Sequence, residues 1–197
     1  MSLTRAIRVA VNGYGVIGKR VADAVVQQDD MELAGVADIS ADWRPRIAMK
    51  KGFRLFGATE EHASAMRNAG LDIAGNLDDL LGASDLVVDC TPKRIAAVNV
   101  EIYRKKDIKF IVQGGEKHEV TGHSFVAEAS YSSALYRDST RVVSCNTTSI
   151  VRTLTGTVNL SASGQGRARG LRSGYLKMGD LAPHLHRGPS QLAIMVR

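Results

Sequence analysis

Apolar and polar positions alternate along this chain in blocks that predict strands and helices in turn. Residues 6–11 form an apolar run of strand length, and residues 12–18 follow as a glycine-rich turn. Ile17, Val21, Ala24 and Val25 then recur at helical spacing, which predicts an amphipathic helix to about Asp29. Residues 31–37 predict a second strand that ends at Asp38 and completes a βαβ unit of about 30 residues. The pattern continues with a helix over 43–51, a short strand over 53–56, a helix over 60–69, a strand over 71–74 and a short helix over 77–81. Residues 85–90 have a continuous apolar centre, as a parallel strand covered on both faces requires. Thr91 and Pro92 break that run, 95–105 reads as a helix, and 110–113 as another buried strand ended by Gly114 and Gly115. A helical stretch over 125–136 leads to a last strand, which runs into Cys145. Strands alternating with helices predict an α/β fold, a doubly wound Rossmann-like parallel sheet.

The pattern changes near Thr155. The last 43 residues hold seven glycines among scattered Arg and Ser, and neither the strand nor the helix period persists there. This predicts a loosely ordered tail over 155–197 rather than a packed domain. The tail also explains the net charge of +6: it carries six basic residues against one acidic, while the rest is nearly neutral. The charge therefore gives no reason to expect a nucleic-acid partner. The hydrophobic fraction of 44% is ordinary, and no apolar run approaches the roughly 20 residues of a membrane span. Two cysteines, Cys90 and Cys145, make no disulfide framework, and the N-terminus lacks a signal-peptide layout, so a cytoplasmic protein without a membrane partner is expected.

The chemistry starts at Gly13-x-Gly15-x-x-Gly18, between a strand and a helix. In that setting the first glycine permits a tight turn, the second lets backbone approach a pyrophosphate, and the third lets helix pack on strand. The helix N-terminus offers free N–H groups to phosphates. Asp38 stands 20 residues after Gly18, where a carboxylate accepts hydrogen bonds from the adenosine ribose and repels a 2′-phosphate. That favours NAD over NADP, although Arg44 and Arg46 lie just beyond and leave NADP open. Thr91-Pro92 and Gly114-Gly115 follow later strands, and contact with a cofactor and plain turn chemistry explain them equally well. Cys90, among apolar neighbours, reads as core or pocket wall. Cys145 stands at a strand-to-helix junction, where the helix dipole favours thiolate; taken alone, a nucleophile and an incidental thiol are equally good readings. No metal site is expected.

Together, Val9 to Arg20, Gln28 to Glu32, Asp89-Cys90-Thr91-Pro92, Gln113 to Lys117 and Val142 to Thr148 resemble the archaeal-type glyceraldehyde-3-phosphate dehydrogenases, in family order over about residues 6–154. The resemblance implies a dinucleotide-binding domain over 1–143, the start of a catalytic domain over 144–154, and a remnant of a second, substrate domain. It implies that Cys145 attacks the aldehyde of glyceraldehyde 3-phosphate, that hydride passes to the nicotinamide, and that phosphate cleaves the resulting thioester. Ser144, Asn146 and Thr147 match the family's substrate-binding stretch. Gly13, Tyr14, Gly15, Val16, Ile17 and Gly18 match its cofactor loop. A cytoplasmic homotetramer is the implied assembly. The tail does not align with the family's substrate domain, and His184 and His186 do not match its catalytic histidine; the change at Thr155 reads as a truncation or a shifted reading frame. Two alternatives therefore stand beside the dehydrogenase: a catalytically defective NAD-binding module, and another semialdehyde dehydrogenase using the same cysteine logic.

Overall fold

The computed structural model describes residues 5–113 and 115–162. Eight strands form one sheet in the order β4-β3-β2-β1-β5-β6-β8-β7. They are β1 (Ile7–Asn12), β2 (Met31–Asp38), β3 (Leu55–Gly57), β4 (Gly75–Asn76), β5 (Leu86–Asp89), β6 (Lys109–Val112), β7 (Ser124–Phe125) and β8 (Ser139–Val142). Every pairing is parallel. The α-helices of the described residues are α1 (Val16–Val25), α2 (Trp43–Lys50), α3 (Glu60–Asn68), α4 (Leu77–Gly82), α5 (Ile95–Lys105), α6 (Ala127–Ala134) and α7 (Cys145–Ala162); the first six lie between strands and α7 follows β8. The fold is α/β, with a Rossmann-like all-parallel sheet.

Both faces of the sheet are covered, which is why its central strands are apolar through their middles. On one face Ala10, Val87, Phe110 and Val112 pack with Leu80 and Leu81 of α4 and Ala96, Val100 and Tyr103 of α5. On the other, Val11, Val36 and Leu55 pack with Ala22 of α1, Ala48 of α2, and Ala63 and Met66 of α3. Val9, Leu86, Val88 and Ile111 continue that second face against Val25. The chain goes outward from β1 to β4, then returns through α4 to place β5 on the other side of β1. The register sets Asn12 beside Asp89, so the two strands end together at the point where strand order reverses. In open α/β sheets that crevice is where ligands bind.

Four local expectations change. Residues 71–74 are not a strand: Leu71 and Ile73 alternate because both fill the core, and pairing begins only at Gly75. In α1 the buried line is Gly18, Ala22 and Val25, while Ile17 and Ala24 face outward, and the helix ends at Val25 rather than near Asp29. Small residues at Gly18 and Ala22 let α1 lie close on the sheet. The stretch 125–136 contains strand β7 before the helix, and α6 is kinked at Ser130 (φ −134°), whose hydroxyl takes the Val126 N–H at 2.9 Å. Helix α7 continues past Thr155 to Ala162; the remainder of the expected tail, 163–197, lies outside the described residues.

Candidate functional site

The glycine-rich turn is built by close approach. Gly13 adopts φ +93°, which glycine tolerates and L side chains rarely do, and its N–H donates to Ala37 at 2.8 Å. A Cβ on Gly13 would stand 3.0 Å from the Cys90 carbonyl carbon and from the Thr91 nitrogen, so this turn and the β5–α5 loop are in contact. A Cβ on Gly18 would stand 1.8 Å from the Gly13 oxygen, which makes the third glycine a steric requirement of the turn. A Cβ on Gly15 would meet nothing within 4 Å. That open position lies directly before α1.

Capping sets α1 apart from the three helices that follow it. Asp42, Thr59 and Asn76 cap α2, α3 and α4 through their side chains. At α1 the cap residue is Gly15, which supplies no side-chain acceptor, and the first turn holds no acidic residue. Its N–H groups, and the positive end of its dipole, are left for an external anion.

Asp38 is buried and turned back into this loop. Its Oδ2 accepts the Tyr14 N–H at 2.8 Å; its Oδ1 accepts Ile39 N–H (2.8 Å), Ser40 N–H (3.0 Å) and the Ser40 hydroxyl (3.0 Å). A carboxylate oxygen has two lone pairs, so Oδ2, with one donor, retains an acceptor position. Tyr14 joins the site through its backbone alone. Its ring is fully buried edge-on to Phe53, its hydroxyl has no hydrogen-bond partner among the described residues, and burial, with the charge of Asp23, pushes its pKa up to about 12. Val16 and Ile17 stand exposed in the first turn of α1.

Beneath the two strand ends lies a polar network that sequence reasoning missed. Asp89 is fully buried and accepts from Thr91 N–H (2.9 Å), the Thr91 hydroxyl (2.5 Å), Asn99 Nδ2 (2.9 Å) and the Tyr103 hydroxyl (2.7 Å). Tyr103 in turn accepts from Asn12 Nδ2 at 2.7 Å. Burial first, and then the Asp89 charge, raises the Tyr103 pKa, so the phenol stays a donor. The network ties β1, β5 and α5 together and fixes Thr91 against the Gly13 turn, while Pro92 is exposed. The available signal was a carboxylate closing an otherwise apolar strand. Cys90 is half-buried, and burial raises its thiol pKa, in keeping with a pocket wall.

Gly115 has φ +73° and precedes Glu116, whose buried carboxylate receives the Arg94 N–H at the start of α5; Gly114 lies outside the described residues. Glu116 was also missed. Cys145 opens α7 at the same edge of the sheet and is exposed, with Sγ 3.9 Å from Asn146 Oδ1. Ser144 caps this helix: its Oγ accepts the Thr147 N–H at 3.2 Å and lies 2.9 Å from the Thr147 hydroxyl. Ser144, Asn146 and Thr147 are exposed beside the thiol. The cap leaves the N–H groups of Cys145 and Asn146 without an intrahelical partner. Among the described residues no cluster of three or more His, Cys, Asp or Glu could hold a metal ion, and no helix is long and apolar enough to cross a membrane.

A glycine turn with an open second position, an uncapped helix start and a strand-end carboxylate at the switch point define a dinucleotide-binding domain of NAD(P) type. The family model for "Dihydrodipicolinate reductase, N-terminus" matches residues 7–130, and the chain belongs to that domain family. Its relatives include the glyceraldehyde-3-phosphate dehydrogenases of Methanothermus fervidus (51% identical over 146 residues, 74% of this chain and 43% of the relative) and Thermococcus kodakarensis (49% over 148 residues, 75% and 44%). The chain thus spans less than half the length of these curated relatives. Among solved structures, GenD2 from gentamicin A biosynthesis in complex with NAD is a distant match, with TM-score 0.43 and 19% identity, covering 57% of this chain and 28% of that one.

Proposed function

We propose that this chain binds NAD at the β1–β5 switch point and carries the nucleophile of a phosphorylating glyceraldehyde-3-phosphate dehydrogenase. The observation that carries the binding half is the open position at Gly15 before the uncapped start of α1. Gly13, Gly15 and the first turn of α1 would hold the pyrophosphate, Asp38 Oδ2 a ribose hydroxyl, and Thr91, Pro92, Gly114 and Gly115 the nicotinamide side. Val16 and Ile17 would pack against the dinucleotide. Bound NAD would supply a hydride acceptor.

Cys145 sits three strand positions from β1 in the order β1-β5-β6-β8, roughly 14 Å at ordinary strand spacing. An extended dinucleotide anchored at Gly15 would have to span that distance to bring its reactive ring to the thiol. The Cys145 thiolate attacks the aldehyde carbon and forms a C–S bond. The developing oxyanion meets the N–H donors of the first turn of α7. Loss of a hydride from that carbon, for which bound NAD would be the acceptor, collapses the oxyanion to a carbonyl and leaves a thioester on Sγ. A phosphate oxygen then attacks the acyl carbon, the C–S bond breaks, and the thiolate returns with release of an acyl phosphate. Ser144, Asn146 and Thr147 would orient the substrate around the thiol. Cytoplasmic residence and a homotetramer belong to the same proposal.

A second reading, a dinucleotide-binding module without turnover, is favoured by the surroundings of Cys145: among the described residues Sγ has one hydrogen-bond partner, Asn146 Oδ1 at 3.9 Å. Following NADH formation with glyceraldehyde 3-phosphate and phosphate separates the two. Turnover that disappears in Cys145→Ser supports the dehydrogenase. NAD binding without Cys145-dependent turnover supports the module.

A further inference from the structure

Two arginines follow Asp38 closely enough to bear on the adenosine end of the site, and the structure disposes of them differently. Arg46 is pinned elsewhere, its Nη2 donating to the Ala69 carbonyl at 2.9 Å near the end of α3. Arg44 stays beside the β2 end. Its guanidinium is held by Asp42, with Nε 2.9 Å and Nη2 2.6 Å from Oδ2. The same carboxylate caps α2 by accepting the Arg44 N–H at 2.8 Å. The intervening loop is folded back, with Ser40 bonded to Asp38, and the Asp38 charge acts on Arg44 as well.

We infer that Asp42 sets which dinucleotide this site accepts, by holding the Arg44 guanidinium on itself and away from the ribose 2′ position beside Asp38. The inference rests on the dinucleotide reading above. A guanidinium grips a phosphate as a planar fork, through the donors that Asp42 now occupies. With Arg44 neutralised, a 2′-phosphate would face the Asp38 carboxylate with no free cation from this loop. Both partners of the pair are more than one-third exposed, so the latch is weak enough for one substitution to open it. Asp42→Ser is the informative change: serine still caps α2 but is too short to hold the guanidinium.

The test is titration of the full chain with NADH and with NADPH, read by energy transfer from Trp43, the single tryptophan, to the reduced nicotinamide. In Asp42→Ser, NADPH affinity should rise at least about tenfold, with NADH changed less than about threefold. Adding Arg44→Ala to that variant should abolish the gain. An unchanged NADPH-to-NADH ratio in Asp42→Ser overturns the inference, as does a gain that survives without Arg44. A wild-type chain that binds neither nucleotide overturns the dinucleotide reading itself, and this inference with it.

Discussion

Replacing Gly18 by alanine should destabilise this domain, although a glycine-to-alanine change inside a helix ordinarily gains about 0.5–1 kcal/mol. The reason is position. The new Cβ would stand 1.8 Å from the Gly13 oxygen and 2.9 Å from its carbonyl carbon, while contacts under 3.0 Å are essentially never seen. Both opposing atoms are backbone, so the turn itself must move by more than about 1 Å. That movement strains a φ +93° residue already pressed on Cys90 and Thr91. Overpacking of this kind costs about 1–3 kcal/mol, and the clash with backbone puts this site toward the upper end, which leaves a net loss of up to about 2.5 kcal/mol after the helix gain. Gly82 is the control: it lies in α4, has no positive φ, and its Cβ would meet nothing within 4 Å. Urea unfolding should therefore show a lower midpoint for Gly18→Ala and an unchanged or higher one for Gly82→Ala. NADH affinity should fall only in the former. A Gly18→Ala protein as stable as wild type, with unaltered NADH binding, would refute the steric account of the turn.

Three further outcomes follow from buried polar groups. Tyr14→Phe removes a buried hydroxyl without a partner and should raise stability by about 1 kcal/mol in the same urea assay; a comparable loss would show that the hydroxyl is satisfied. Asp89→Asn turns an amide toward the donors of Thr91, Asn99 and Tyr103, and should cost about 2–3 kcal/mol while loosening the Thr91 loop, seen as faster amide exchange there. His123 is buried between Thr140 (2.6 Å) and Ser133 (2.9 Å), and burial, then Arg137 and His118, lower its pKa. Its contribution is therefore complete above the unfolded value of about 6.5 and lost as pH falls from there through the folded value. In His123→Asn, this part of the pH dependence of the unfolding midpoint should vanish.

The strands and helices of the β1-to-β6 core were legible because their signals are local: apolar runs of strand length, separated by helical spacing or by glycine and proline. What was not legible depends on packing across the fold. Leu71 and Ile73 carry a strand's alternation but serve as core plugs, since on its outer side β3 pairs with Gly75 and Asn76. The exposed Ile17 reads as core by spacing, whereas α1 in fact sits on Gly18 and Ala22. The chemistry divides the same way. Gly13, Gly15, Gly18 and Asp38 announce themselves by spacing within one βαβ unit. Asp89, Tyr103, Asn12 and Asn99 lie up to 91 positions apart and meet only when α5 folds over the ends of β1 and β5. The pairing of Arg44 with Asp42 was equally hidden: by sequence Arg44 reads as a charge that leaves a 2′-phosphate open, and the N-cap of α2 brings it onto Asp42.

The most direct measurement of the central claim is a calorimetric titration of the full chain with NAD, beside Gly15→Asp. Gly15 has φ −75° and open space around it, so aspartate fits there, caps α1 as a natural N-cap residue, and sets its carboxylate where the pyrophosphate would lie. Saturable binding by the wild-type chain, lost in a Gly15→Asp protein of undiminished stability, is the predicted result. Absence of binding in the wild type, or equal binding by the two proteins, would contradict the assignment of this crevice as the dinucleotide site.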